Sequence, residues 1–320
     1  MKYGFGVDVG GTTVKIALFD ETGLMLSKWE IPTVTANNGA QILPDIAASV
    51  LGCMATHGYS KNDIIGIGIG VPGPVDDDGV VNCCSNLGWG VFNVQTSLTA
   101  LTGLPVKAGN DANMAALGEA WKGGAIGCDN MVLATFGTGV GGGIVINGKP
   151  INGVHGAAGE IGHLTVNRDE KEPCTCGKYG CVEMYCSATG VVRLAKRHMA
   201  ATEQSSILRG KENLTCKDVF DAAGENDSLA LDVLEQVYDY MGMFLASVCC
   251  VTDPQVVVLG GGVSKAGLPL LEGAKRYFDK YIFHASASIR FALATLGNDA
   301  GAYGAFKLIL DTHQKENTHV

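Results

Sequence analysis

The stretch Asp8–Leu18 reads DVGGTTVKIAL, an acid and two glycines set between runs of apolar and β-branched residues. Such runs favour strands, and paired glycines between them mark a tight turn. Working outward, residues 3 to 9, 12 to 19 and 24 to 31 read as a strand meander, broken at Gly10 and Gly11 and again at Gly23. The layout returns at Phe136–Ile146, FGTGVGGGIVI, inside a strand pair from Met131 to Gly148, which points to two related halves. A third glycine turn, Gly260–Gly262, follows the strand-like PQVVVLG and precedes a helix-like run.

Glycine lets a ligand approach the backbone, and successive exposed amides make an anion-binding concavity. Asp8–Thr13 adds an acid and hydroxyls, as a phosphate chain with its Mg²⁺ would require, and Gly137–Gly143 adds Thr138. Any one of these turns is equally well a close-packed hairpin. All three together favour a nucleotide. The sequence has no G-x-x-x-x-G-K-[ST] loop, and no G-x-G-x-x-G follows the first strand, which argues against P-loop and dinucleotide sites.

The rest of the chain alternates strand-like and helix-like segments, and 320 residues suggest two α/β domains. Residues 40 to 54 place Ile42, Ile46, Val50 and Cys53 on one helical face. Ile64–Val71 reads as a buried strand that ends at Pro72 and Gly73. After Pro105 a strand runs into a helix with Met114, Leu117 and Trp121 at core spacing, and Asp111 sits near its start, where it could serve as the N-cap. A long helix is expected over residues 228 to 250, and another closes the chain.

The net charge of −9 argues against a nucleic-acid surface. No apolar run approaches the roughly twenty residues of a membrane span, and the N-terminus lacks the pattern of a secretory signal, so a cytoplasmic protein is expected. Thiols stay reduced there. Three of the eleven cysteines fall in PCTCGKYGCVE, Pro173–Glu183, as metal ligands, a redox group or packing residues. The pairs Cys83, Cys84 and Cys249, Cys250, with Cys186, fit no metal spacing and read as buried side chains.

DVGGTTVK, GTGVGGG and VVLGGGVS, in that order, resemble the two phosphate segments and the adenosine segment of the sugar-kinase, Hsp70 and actin superfamily. GEIGH at 159–163 followed by CTCGKYGCVE at 174–183 is similar to the signature pair of the ROK family, which contains repressors and sugar kinases. PGPVD, NLGW, GNDAN and LGNDAGAYGA extend the likeness from Gly4 to about Phe306, most closely to the glucokinases of that family.

The resemblance implies an α/β, two-domain actin-like (ribonuclease H-like) fold with an interdomain cleft that closes on sugar. Residues 1–116 with about 300–320 would form the small domain, and 117–299 the larger one. ATP would meet Asp8, Gly10, Gly11, Thr12, Thr13 and Lys15, then Gly137, Thr138 and Gly139, then Gly260, Gly261 and Gly262. Asp111 would be the general base toward a hexose held by Asn110, Asp111, Glu160, His163 and Glu183, with Gly73 and Asn86 at the rim. His163 would join Cys174, Cys176 and Cys181 around a structural Zn²⁺. The implied reaction is ATP-dependent phosphorylation of glucose at its 6-hydroxyl. The alternatives are mannose, fructose or an N-acetylhexosamine as acceptor, or a sugar-sensing regulator. Homodimers or higher homo-oligomers are the family's habit.

Overall fold

The computed structural model describes residues 1–318 and groups the chain into two compact units. The first takes in Met1–Asp129, Gly143–Gly159 and the C-terminal segment from Leu296; the second takes in Asn130–Gly142 and Glu160–Thr295.

The first unit is built on β1 (Tyr3–Val9), β2 (Thr13–Asp20), β3 (Met25–Pro32), β4 (Ile64–Val71) and β7 (Val106–Asn110), in the order β3-β2-β1-β4-β7. The first three are antiparallel, and β4 and β7 add in parallel. A ribbon of β5 (Val80–Val81) and β6 (Phe92–Asn93) stands apart from this sheet.

The segments YGFGVDV and IIGIGIGV alternate glycine with large apolar residues, and the two sets face opposite sides of the sheet. Phe5, Val7, Ile67 and Ile69 are fully buried in a core shared with Ile42, Ile46 and Val50 of the helix Ile42–His57. Gly6 and Gly68 are neighbours across β1 and β4. They lie beneath the terminal helix Ala300–Thr318: a Cβ on Gly6 would stand 2.1 Å from the Ala302 carbonyl oxygen, and one on Gly68 1.7 Å from that of Ala305. Alternating glycine is here a seat for a helix. Phe306 fills the gap beside it, stacked on Phe19 at 4.7 Å.

The terminal helix also lies close against the helix Asp111–Lys122. A Cβ on Gly304 would meet the Met114 carbonyl oxygen at 1.7 Å, and one on Gly118 that of Ala300 at 2.2 Å. A boundary at residue 116 would cut through this helix, half of which is held by the C-terminal segment. The first unit instead continues to Asp129.

The second sheet is formed by β8 (Met131–Phe136), β9 (Val140–Ile146), β10 (Lys149–Pro150), β11 (Val256–Gly260) and β12 (Arg290–Leu293). Its order, β10-β9-β8-β11-β12, repeats that of the first sheet, with β11 parallel to both β8 and β12. The two halves expected from the glycine turns are thus two copies of one sheet plan, and the fold is the actin-like, ribonuclease H-like α/β fold. The helix Ser228–Thr252 ends on Asp253 in the left-handed conformation. No described helix is long and apolar enough to cross a membrane.

Candidate functional site

The first glycine turn closes on itself, since the Gly10 amide donates to the Thr13 carbonyl at 3.0 Å and the Thr33 hydroxyl to the Gly10 carbonyl at 2.7 Å. Neither Gly10 nor Gly11 is left-handed, and a Cβ on Gly11 would meet nothing within 4 Å. The turn therefore offers open backbone at Gly11 and Thr12, which are exposed, with Thr13 half-buried. Burial pushes the Asp8 carboxyl up, and Lys15, with its Nζ 3.8 Å from Oδ2, opposes that shift. Carboxylate and hydroxyl oxygens are the donor set Mg²⁺ prefers.

Asp111 opens the helix Asp111–Lys122, but it is not the N-cap. Asn110 is, and its side-chain oxygen accepts from the Asn113 amide at 3.1 Å. Capping is done by Asn110, and the Asp111 carboxylate, half-buried, accepts from the Ala112 amide at 2.8 Å. The Asn110 amide group donates to the Gly73 carbonyl at 3.0 Å, which joins PGPVD to GNDAN. Asn86 is exposed on the short turn that follows Cys84. Burial, aided by the Asp111 charge, pushes the Cys84 thiol up. Asn113 is fully buried and donates to Asn152 at 3.0 Å, and Asn152 in turn donates to Asp77 at 2.8 Å. These polar links escaped the sequence reading.

In the second unit, the turn of Gly137, Thr138 and Gly139 is propped from behind: the Ala188 amide donates to the Gly137 carbonyl at 2.8 Å and the Thr189 hydroxyl to the Thr138 carbonyl at 2.9 Å. Glu183 lies across this turn, with Oε2 accepting from the Val140 amide at 3.0 Å. Its Oε1 accepts from the Thr175 hydroxyl at 3.2 Å and the Cys174 thiol at 3.6 Å. A Cβ at Gly139 would stand 2.3 Å from Glu183 Oε2 and would displace that carboxylate. Glu160 and His163 bracket a single tight turn, Glu160 exposed and His163 half-buried.

The ligand atoms of His163, Cys174, Cys176 and Cys181 all lie within 4.8 Å of one another. A tetrahedral zinc with sulfur at about 2.3 Å sets its ligands about 3.8 Å apart. Cys174 Sγ stands 3.8 Å from His163 Nδ1, and Cys176 Sγ stands 3.6 Å from Cys181 Sγ, so the residues fit the ion. Burial and the adjacent thiols push Cys181 up to about 12, a cost that a cation among them would remove. The pairs read as buried divide: Cys84 and Cys249 are buried, as is Cys186, but Cys83 and Cys250 are exposed, since successive residues on a turn or a helix point in different directions.

Glu170, three residues before this loop, lies against Tyr185, two residues after it, at 2.6 Å, and against Arg193 at 2.6 Å and Arg197 at 2.8 Å. Arg197 above all holds its carboxyl well below the usual carboxylate range. The third turn has Gly261 left-handed, with φ of 81°, and leads through a short 3-10 turn, Gly262–Ala266, into the helix Leu268–Tyr281. Beside it lies a cavity of about 440 Å³ lined by Gly262 and Val263 and by Ala188, Thr215, Lys217 and Phe220. The last four carry no glycine pattern, so only their convergence reveals them.

Residues 4–312 match the ROK family. The chain is 45% identical to a glucokinase of Halalkalibacterium halodurans, across 98% of this chain and 96% of that protein. It is 31% identical to an N-acetyl-D-glucosamine kinase of Vibrio parahaemolyticus, across 95% and 98%. A ROK family glucokinase from Streptomyces griseus, solved in complex with glucose and AMPPNP, is similar with a TM-score of 0.74 at 33% identity, covering 96% of this chain and 98% of that one. With the cysteine cluster, the glycine turns and both sheets accounted for over this length, the chain belongs to the ROK family.

Proposed function

We propose that the protein transfers the γ-phosphoryl group of MgATP to the 6-hydroxyl of glucose, with Asp111 as general base. The observation that carries this reading is the position of Asp111: it opens the helix next to Asn110, whose amide binds the Gly73 carbonyl, and its carboxylate is partly exposed. A carboxylate so placed accepts a hydrogen bond from a sugar hydroxyl and takes its proton as the phosphoryl group leaves ATP. Asn110, Glu160, His163 and Glu183 would pair with other hydroxyls, since a pyranose presents donors and acceptors that carboxylates, an amide and an imidazole can match. The high identity to a glucokinase supports glucose as acceptor.

The open backbone at Gly11 and Thr12 and the propped turn at Gly137–Gly139 would take the phosphates, and the cavity beside Gly262 would take the base. Phosphoryl transfer depends on positioning and charge stabilisation, which backbone amides supply without reorganisation. Mg²⁺ carried by the nucleotide would neutralise phosphate charge near Asp8 and Thr13. Zinc held by His163, Cys174, Cys176 and Cys181 would supply a closed anchor with no open position for catalysis. His163 turns Nδ1 to the cysteines, which leaves Nε2 for a sugar hydroxyl.

The test is a coupled assay of a hexose panel with MgATP, including mannose, fructose and N-acetylglucosamine. Glucose is expected to give the highest kcat/KM. A preference for N-acetylglucosamine would reassign the acceptor, and no phosphorylation of any hexose would overturn the kinase reading.

A further inference from the structure

Glu183 is the last residue of the cysteine loop, and both of its carboxylate oxygens are held. Oε2 takes the Val140 amide at 3.0 Å, and a Cβ at residue 139 would stand 2.3 Å from it. Oε1 is reached at 3.2 Å by the hydroxyl of Thr175, the residue between ligands Cys174 and Cys176, and at 3.6 Å by the Cys174 thiol. The thiol contact cannot persist in the metal-bound protein, because a sulfur bound to zinc as thiolate has no hydrogen to give. Thr175 is then the one donor of the three that ties Oε1 to the metal loop.

We infer that Thr175 is a positioning residue: its hydroxyl transmits the geometry of the cysteine loop to the Glu183 carboxylate and thereby sets affinity for the hexose. Two donors at opposite ends of one carboxylate fix its plane as well as its place. Each oxygen keeps a lone pair that can face a sugar hydroxyl. Without Thr175, Oε1 can swing about the bond to the Val140 amide, and the ordering of Glu183 is charged to sugar binding. Thr175 is exposed and contributes nothing to the core, so its replacement leaves the fold to the metal and to the Glu170 cluster. The inference deepens the kinase reading and rests on it.

The experiment compares Thr175→Val and Thr175→Ser with the unaltered protein in the zinc-bearing state. It measures bound zinc per chain, KM for glucose, KM for ATP and kcat. Thr175→Val is expected to keep its zinc and raise the glucose KM about tenfold, the loss of one charge-assisted hydrogen bond. Its kcat and ATP KM should stay within about twofold, as expected when a ground-state contact is removed. Thr175→Ser, which keeps the hydroxyl, should return the glucose KM to within about twofold. An unchanged glucose KM in Thr175→Val overturns the inference. So does a raised KM accompanied by zinc loss, which would make Thr175 a metal-site residue, or failure of serine to rescue. If the unaltered protein phosphorylates no hexose, the kinase reading itself falls, and the inference with it.

Discussion

The two hairpin turns occupy the same place in two copies of one sheet plan, yet they are finished differently. The first, at Gly10–Thr13, is tied only to its own unit's backbone and Thr33, and a side chain at Gly11 would meet open space. The second, at Gly137–Val140, is buttressed by residues 188 and 189 and already carries the Glu183 carboxylate on its Val140 amide. A repeated backbone plan thus yields one turn with open space at Gly11 and one coupled to the cysteine loop. The lesson is that equivalence of topology does not carry over to equivalence of contacts, because side chains from distant segments finish each turn.

The largest test leaves both turns untouched. Asp111→Asn should lower kcat about a thousandfold, within the range of a lost general base, while an ATP analogue still binds. Undiminished turnover would remove Asp111 from the chemistry and leave the contrast between the turns without a reaction to serve.

Breaking the cysteine loop should reach the second turn and spare the first. Cys176→Ala is expected to lose zinc to a mild chelator, raise the glucose KM about tenfold or more, and lower Tm by about 3 °C, equivalent to about 2 kcal/mol. Zinc-free protein with full glucose affinity would show that the loop keeps its shape without the metal.

Glu170 joins the segments that flank the same loop. Glu170→Gln breaks a buried charge cluster and should cost about 3 kcal/mol at pH 7 by denaturant titration. The folded carboxyl is held below its unfolded value near 4.5, so its contribution is present above that pH and fades as pH falls below it. The gap between the two proteins should therefore narrow under acid; a gap constant from pH 7 down to pH 3 would rule out the charge as its source.

The smallest effects separate the turns directly. Gly139→Ala would displace Glu183 and should raise the glucose KM severalfold, whereas Gly11→Ala should change stability by no more than about 0.5 kcal/mol and act on ATP KM alone. Equal effects of the two on glucose KM would erase the distinction.

Much of this was legible in the chain. β-branched runs between glycines gave the hairpins, periodic apolar residues gave the helices, and short spacing gave the cysteines, because each depends on neighbours within a few residues. The helix starting after Gly109 was legible, but its cap was not: Asn110 and Asp111 are both good caps, and the backbone chose the former. The glycines of β1 and β4 were read as part of buried strands, and only the terminal helix seated on them explains why they bear no side chains.

By itself the sequence determined the kinds of element, the three glycine turns and the close spacing of Cys174, Cys176 and Cys181, since local conformation and spacing are written in adjacent residues. Only the tertiary structure decided that Val140, Thr175 and Glu183 meet, and that Thr215–Phe220 lines a cavity with Gly262. The Val140–Glu183 contact and the cavity wall shared by Thr215 and Gly262 each close a loop of tens of residues, and no local preference encodes where the ends of such a loop come together.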